Sequence, residues 1–331
     1  MIHCAVGGYF ELELPPPVSM PYPGALTFQS ARGAFMALLA AGAPRHVWMP
    51  RYTCDVMLHT LDQAGVSYSF YGLNNDLTIK DDIVLLDDEW LIYVNYFGLC
   101  TAIQQEILRR FNPLQVVFDN AQAFFCPPLE CLATLYSPRK FFGIPDGGLL
   151  VTSLNMSASY ATDETSLQRS SHLLQRLGAG AEAGYQAYQR AEQSLDGGVV
   201  PKRMSLLTTR LLSSIDVYEA RKRRDVNFGF LHSKFGAFNE MMIAEAFVQG
   251  ALCYPLLVSC GEALRNELVN NRIYTARYWS DCHQRTDENS IERQMCDRLI
   301  AIPCDQRYGI GELQRVVDVV EREMARCKNI T

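Results

Sequence analysis

Residues Ser137–Thr152 read SPRKFFGIPDGGLLVT. A lysine, Lys140, stands between an apolar run that closes at Tyr136 and another that opens at Gly148, with a Gly-Gly pair marking a tight turn before the second. Working outward, the flanking runs are short, β-branched or aromatic, and often apolar on successive residues, as strands buried on both faces are. His46–Pro50, Val66–Gly72, Ile83–Leu86, Leu91–Tyr96, Leu114–Phe118, Leu132–Tyr136 and Gly148–Thr152 are read as strands. Helical patterns at Ala31–Ala41, Thr53–Ala64 and Ala102–Arg110 lie between several of them. Such alternation predicts an α/β fold with a mostly parallel central sheet and helices on both faces.

Beyond Thr152 the character changes twice. Thr162–Glu192 is polar and helical, with expected breaks at Gly178 and Gly180. Ser205–Leu231 is helical and carries the basic run Arg221–Arg224, read as a solvated face. After about Phe235, strand-like Leu252–Val258, Ile273–Trp279 and Leu299–Ile302 alternate with helical Glu262–Val269 and Gly311–Met324, the pattern of a small C-terminal α+β domain. The expected division is a lead-in over 1–23, a large domain over 24–235 and a small one over 236–331.

The chain has 331 residues, 48% of them hydrophobic and 20% charged, with a formal net charge of −6. That is ample for a packed core and excludes wholesale disorder. An acidic chain without a basic block argues against nucleic acid as the main ligand. The longest apolar stretch, Ala34–Ala43, is too short to span a bilayer, and no leader peptide is read at the N-terminus. A cytoplasmic protein is expected. Eleven cysteines without a CxxC pair read as free thiols rather than a disulfide framework or a metal site.

Of the 30 basic residues only six are lysine, at 80, 140, 202, 222, 234 and 328, leaving 24 arginines. Five of the six lie in polar or helical surroundings. Lys140, in a loop between buried strands, is expected to be partly desolvated, which sharpens its amine as a nucleophile. Asp119 ends the apolar run LQVVFD, and carboxyl ends of strands in open α/β sheets are where ligands bind. A carboxylate there serves as a helix cap, a metal ligand or the partner of a cationic ring. Phe28–Ala34, FQSARGA, leads into an apolar helix behind Ser30, an N-cap, and the backbone amides of Ala31, Arg32 and Gly33 form a cradle suited to phosphate. Together the three features fit pyridoxal 5'-phosphate, which needs a lysine for its Schiff base, a carboxylate at its ring nitrogen and amides for its phosphate.

In this combination the chain resembles the DegT/DnrJ/EryC1/StrS sugar aminotransferases, of the aspartate-aminotransferase fold (fold type I), over about Gly24–Glu321. FQSARGAF resembles the family's helix-opening phosphate element, and FDNAQAFF is similar to its xDAAQA element. SPRKFFGIPDGGLLVT resembles its S-x-x-K…G-E-G-G segment, and Arg203-Met204-Ser205 its N-Y-R-M-S loop. The resemblance implies Lys140 as the Schiff-base lysine and catalytic base, Asp119 at the pyridine nitrogen, Gln122 near the ring hydroxyl and Ser137 as a phosphate contact. It places Tyr52 or Cys54 over the ring, and offers Arg203 and Tyr96 as substrate contacts. It further implies a homodimer with shared active sites, an amino donor (L-glutamate by resemblance) and a nucleotide-linked keto-sugar acceptor, with no metal. Four positions depart from the pattern. Pro201 stands in place of the loop's Asn, Asp146 in place of Glu, Cys54 in place of an aromatic residue, and Arg32 lies inside the phosphate cradle. Two rival readings stay open: a silent or regulatory cofactor-binding relative, and a lyase or dehydratase on the same cofactor, against which the presence of Lys140 argues. A nicotinamide enzyme lacks its GxGxxG signal.

Overall fold

The computed structural model describes residues 6–156, 158–196, 200–244 and 248–328; Cys4 lies outside them. Ser30 begins the first helix because its Oγ accepts from the Gly33 amide at 3.0 Å, and left-handed Ala43 closes it. The elements run β1 (Leu26–Phe28), α1 (Ala31–Gly42), β2 (His46–Pro50), α2 (Asp55–Ala64), β3 (Ser67–Tyr71), β4 (Glu89–Val94), α3 (Thr101–Arg110), β5 (Val116–Asn120), β6 (Ala133–Tyr136) and β7 (Gly148–Thr152). Four helices follow that add no strand to this sheet up to residue 212: α4 (Ser166–Arg169), α5 (Ser171–Ala179), α6 (Ala181–Asp196) and α7 (Leu206–Leu212). The chain ends with α8 (Val217–Phe235), β8 (Tyr254–Leu257), α9 (Gly261–Asn270), α10 (Ile291–Arg298), β9 (Leu299–Ile302) and α11 (Ile310–Lys328).

Seven strands form one sheet in the order β1-β7-β6-β5-β4-β2-β3. From β6 to β3 every pair is parallel, while β7 is antiparallel to both its neighbours. The successive apolar residues of β4 and β5 are explained by two cores. Leu91, Tyr93, Val116 and Phe118 face one, and Trp90, Ile92 and Val117 face the other, which α1 and α2 cover. A third core, under α8, α9 and α11, packs on the antiparallel β8–β9 pair. The α/β architecture with a mostly parallel sheet and a small second sheet is therefore the one expected.

Several expectations change. Ile83–Leu86 is not a strand: both edges of β4 are already taken by β2 and β5, and Val84 and Leu86 are exposed. Ile273–Trp279 is not one either; it makes a single bridge, Ala276 to Ala301, and is flanked by left-handed Arg272 and Trp279. Helix α5 runs through Gly178 and ends at Gly180, whose φ is 92°. The 205–231 helix is two, separated at residues 213–216, because Asp216 caps α8 by accepting from the Glu219 amide. Strand β1 and helix α10 carried too little periodicity to be read.

The carboxyl ends of β2, β4, β5 and β6 lie along one edge of the sheet, and antiparallel β7 starts there. At that edge β7 meets the N-terminus of α1 backbone to backbone. Gly147 donates to the Gln29 carbonyl at 2.7 Å and bridges Ser30. A Cβ on Gly148 would come within 2.2 Å of the Ser30 carbonyl carbon and 2.4 Å of the Ala31 nitrogen. Gly148→Ala is therefore expected to lower stability by about 2–3 kcal/mol, read from denaturant unfolding. An unchanged midpoint would mean that α1 and β7 part without cost.

Candidate active site

Asp119 sits on β5, paired in register with Leu135 of β6, and Lys140 follows β6 in the 3-10 turn Pro138–Lys140. The Asp119 carboxylate is buried; its Oδ1 accepts from the Ala121 amide at 2.8 Å, and Oδ2 makes no hydrogen bond among the described residues. Burial pushes the carboxyl above its ordinary range, partly offset by the Lys140 charge and the Ala121 amide. Cys54, the N-cap residue of α2, feels Lys140, Asp119 and Arg32 as well, although burial dominates and raises its thiol. Asp119, Lys140, Cys54 and the α1 N-terminus thus share one electrostatic neighbourhood, assembled from four elements of the sheet edge.

Other expected residues divide. The Gln122 side chain is buried, with Oε1 accepting from the Phe97 amide at 3.0 Å and Nε2 lacking a partner among the described residues. The half-buried Ser137 hydroxyl is likewise without a hydrogen bond among them. The Gly33 amide, expected in the phosphate cradle, is already held by Ser30 Oγ, and a Cβ there would meet Gln29 Oε1 at 2.8 Å. Arg32 turns to the Leu195 carbonyl at 2.5 Å, while Ala31 is half-buried at the helix start. Lys140 is exposed, so the expected desolvation of its amine is not present; the turn projects it out of the sheet edge.

Tyr52 and Tyr96 are fully buried in the aromatic core. The Tyr96 hydroxyl donates to the Tyr52 carbonyl at 2.9 Å and Tyr52 Oη to the Tyr278 carbonyl at 3.3 Å. Trp279 packs edge-on against Tyr52 at 4.8 Å. Both side chains, expected over the ring (Tyr52) and at the substrate (Tyr96), are thus packed in the core rather than open at the sheet edge. Arg203 is exposed, its backbone bridging Phe28 and Thr162 as an extra strip beside β1.

Supporting residues escaped sequence reasoning. Asp146 is buried and accepts from the Ser205 amide and Oγ at 2.8 Å each, from Ser166 Oγ at 3.1 Å and from Thr208 Oγ1. Burial raises its carboxyl despite these bonds. Arg285 holds the loop that carries Cys54, donating to the Arg51 carbonyl at 2.7 Å and to Asp55 Oδ1 at 2.5 Å. A buried carboxamide chain, Asn95–Gln104–Asn120, ties α3 to the ends of β4 and β5 at 2.9 and 2.8 Å. Arg224, read as solvated, is buried. It falls on the stripe of Ala220, Phe228, Leu231 and Phe235, a four-residue spacing that could have been read.

The residues present fit pyridoxal phosphate. Among the described residues, an acceptor without a hydrogen bond (Asp119 Oδ2), a buried amide without one (Gln122 Nε2), a hydroxyl without one (Ser137) and an exposed amine converge at one strand edge. These are the partners that a protonated ring nitrogen, a ring oxygen, a phosphate and an aldehyde require. A concavity of about 390 Å³ lined by Leu73, Asn74, Asp76, Lys80, Met242 and Ser290 contains none of them.

No family model and no curated protein matches this chain. Solved structures do. The sugar aminotransferase CalS13 from Micromonospora echinospora aligns at a TM-score of 0.61 and 15% identity, covering 90% of this chain and 87% of its own. A DegT DnrJ EryC1 StrS aminotransferase from Brucella abortus gives 0.59 at 13% identity, over 90% and 85% of the two chains. DesI, solved in the presence of its TDP-sugar product, gives 0.62 at 18% identity, over 92% and 83%. The chain shares the fold of these proteins across nearly its whole length. No described helix is long and apolar enough to cross a membrane.

Since the Asp119 pKa is raised in the folded chain, its stabilising contribution is present below the unfolded value and lost as pH rises through the folded one. Asp119→Asn, which keeps an acceptor for the Ala121 amide, is expected to raise the melting temperature of the cofactor-free protein by on the order of 2 °C at neutral pH. The gain should vanish below the ordinary carboxylate range. The same variant should bind pyridoxal phosphate more weakly. A less stable variant at pH 7 would contradict the burial argument.

Proposed function

We propose that the protein is a pyridoxal-phosphate-dependent aminotransferase that moves an amino group from an amino acid, L-glutamate in the first instance, to a nucleotide-linked keto-sugar. The observation that carries this reading is the convergence of Asp119, Lys140 and the α1 N-terminus at the carboxyl edge of the sheet, in a fold shared with sugar aminotransferases. Bound there, the cofactor supplies an electron sink. Asp119 Oδ2 would hold a proton on the ring nitrogen. Gln122 Nε2 would donate to the ring oxygen, and Ser137 with the Ala31 amide would hold the phosphate. Lys140 Nζ would anchor the cofactor and, as a free amine, would move the proton at the substrate carbon. Its exposure gives it the freedom that two successive roles demand.

The sugar acceptor is supported by the kind of molecule seen with DesI. We further propose that residues 24–235 hold the cofactor and 236–331 form the smaller unit. The chain acts in the cytoplasm as a homodimer with shared active sites.

Incubation with pyridoxal phosphate is expected to give visible absorbance lost in Lys140→Ala, and L-glutamate should convert the bound cofactor to its amino form with release of 2-oxoglutarate. Lys140→Ala should turn over at least about 10²-fold more slowly; unchanged absorbance in that variant would sink the assignment. A panel of nucleotide keto-sugars then identifies the acceptor. Sedimentation should give a dimer, and a fully active monomer would refute the shared active sites.

A further inference from the structure

We infer that Arg224, held in α8 away from the reacting groups, is a positioning residue that fixes the Lys140 turn against the chain entering β8. The inference rests on the aminotransferase reading above. Its guanidinium is buried, and among the described residues no carboxylate lies within ion-pair distance. Instead it spends its donors on carbonyls. Nη2 reaches the Phe141 carbonyl at 3.3 Å, Nη1 the Ala251 and Leu252 carbonyls at 2.9 and 3.3 Å, and Nε the Gln306 Oε1 at 2.7 Å. The Phe141 ring lies 4.7 Å beneath the same guanidinium, and Gln306 Nε2 gives the Phe141 carbonyl a second bond at 2.8 Å.

Phe141 is the residue after Lys140, and its amide closes the turn by donating to the Pro138 carbonyl at 2.9 Å. Arg224 therefore grips the turn by carbonyl and ring at once, one residue down the chain from the lysine. Leu252, its other acceptor, donates to the Phe97 carbonyl at 2.9 Å, and the Phe97 amide in turn binds Gln122. One side chain thus couples the lysine turn, the β8 approach and the residue beside the ring oxygen. A buried unpaired cation is costly, and only a guanidinium offers five donors in this planar spread. A lysine reaches one or two of these carbonyls.

The test uses full-length protein loaded with pyridoxal phosphate. Arg224→Lys and Gln306→Leu are compared with wild type by visible circular dichroism per bound cofactor, by borohydride trapping on Lys140, and by the kcat and KM of the glutamate half-reaction. The positioning role predicts at least a twofold loss of visible ellipticity per bound cofactor and a tenfold lower kcat at nearly unchanged KM, in both variants. Wild-type ellipticity and kcat in folded variants would overturn it, as would a change confined to melting temperature. If Arg224→Lys does not fold, Gln306→Leu alone decides. Failure of the wild-type protein to take up the cofactor overturns the aminotransferase reading instead, a separate outcome.

Discussion

The approach of β7 to the start of α1 sets every other distance in the candidate site. Two backbones meet there with no room for a side chain, so Gly148 seats the helix N-terminus beside the end of β6. Lys140, four residues beyond β6, and Asp119, one strand further, then fall on the same edge without further adjustment. Gln29 extends the arrangement: its side chain accepts from the Lys202 amide at 2.7 Å and donates to the Val200 carbonyl at 2.9 Å. The strip that carries Arg203 is laid along the sheet by these bonds.

Among the described residues several buried charged groups make no ion pair, and three of them, Asp146, Arg224 and Asp119, differ in how their desolvation is answered. Asp146 is answered by hydroxyls and an amide from α4 and α7, which makes it a structural pillar. Arg224 is answered by carbonyls and an aromatic face. Asp119 keeps one oxygen without a hydrogen bond among the described residues, as buried Glu292 also does beside Leu73. A carboxylate whose burial works against the fold, and whose remaining acceptor no protein group uses, is what a cationic ligand would neutralise. What sets Asp119 apart from Glu292 is the Lys140 charge acting on it.

The large sheet was legible because its strands are buried on both faces and interrupted by capped helices, so local pattern and tertiary demand agree. Ile83–Leu86 misled because an apolar run is not a strand unless a ladder edge is free for it. Lys140 and Asp119 were legible from their place after strand runs, but Tyr52 was misplaced: sequence locates it in the right loop and says nothing about its side chain, which turns into the aromatic core instead of toward the edge. The roles of Arg285 and Arg224 were hidden for a further reason, although the spacing of Arg224 in its helix shows it on the buried stripe. Most of their partners are backbone carbonyls 27 to 234 residues away, and a carbonyl leaves no mark in a sequence.

The departures from the sugar-aminotransferase pattern take on physical meaning at the same edge. Pro201 has no amide to donate, yet Gln29 binds only its neighbours on either side, at Val200 and Lys202, so the strip keeps its place with a proline between them. Asp146, a shorter acid than glutamate, reaches all its donors because Ser205 caps α7 directly beneath it. These two substitutions therefore leave the framework intact. Cys54 and Arg32 are the departures inside the electrostatic neighbourhood of Lys140 and Asp119; Arg32 turns away to the Leu195 carbonyl, and Cys54 offers a thiol of less area than a ring.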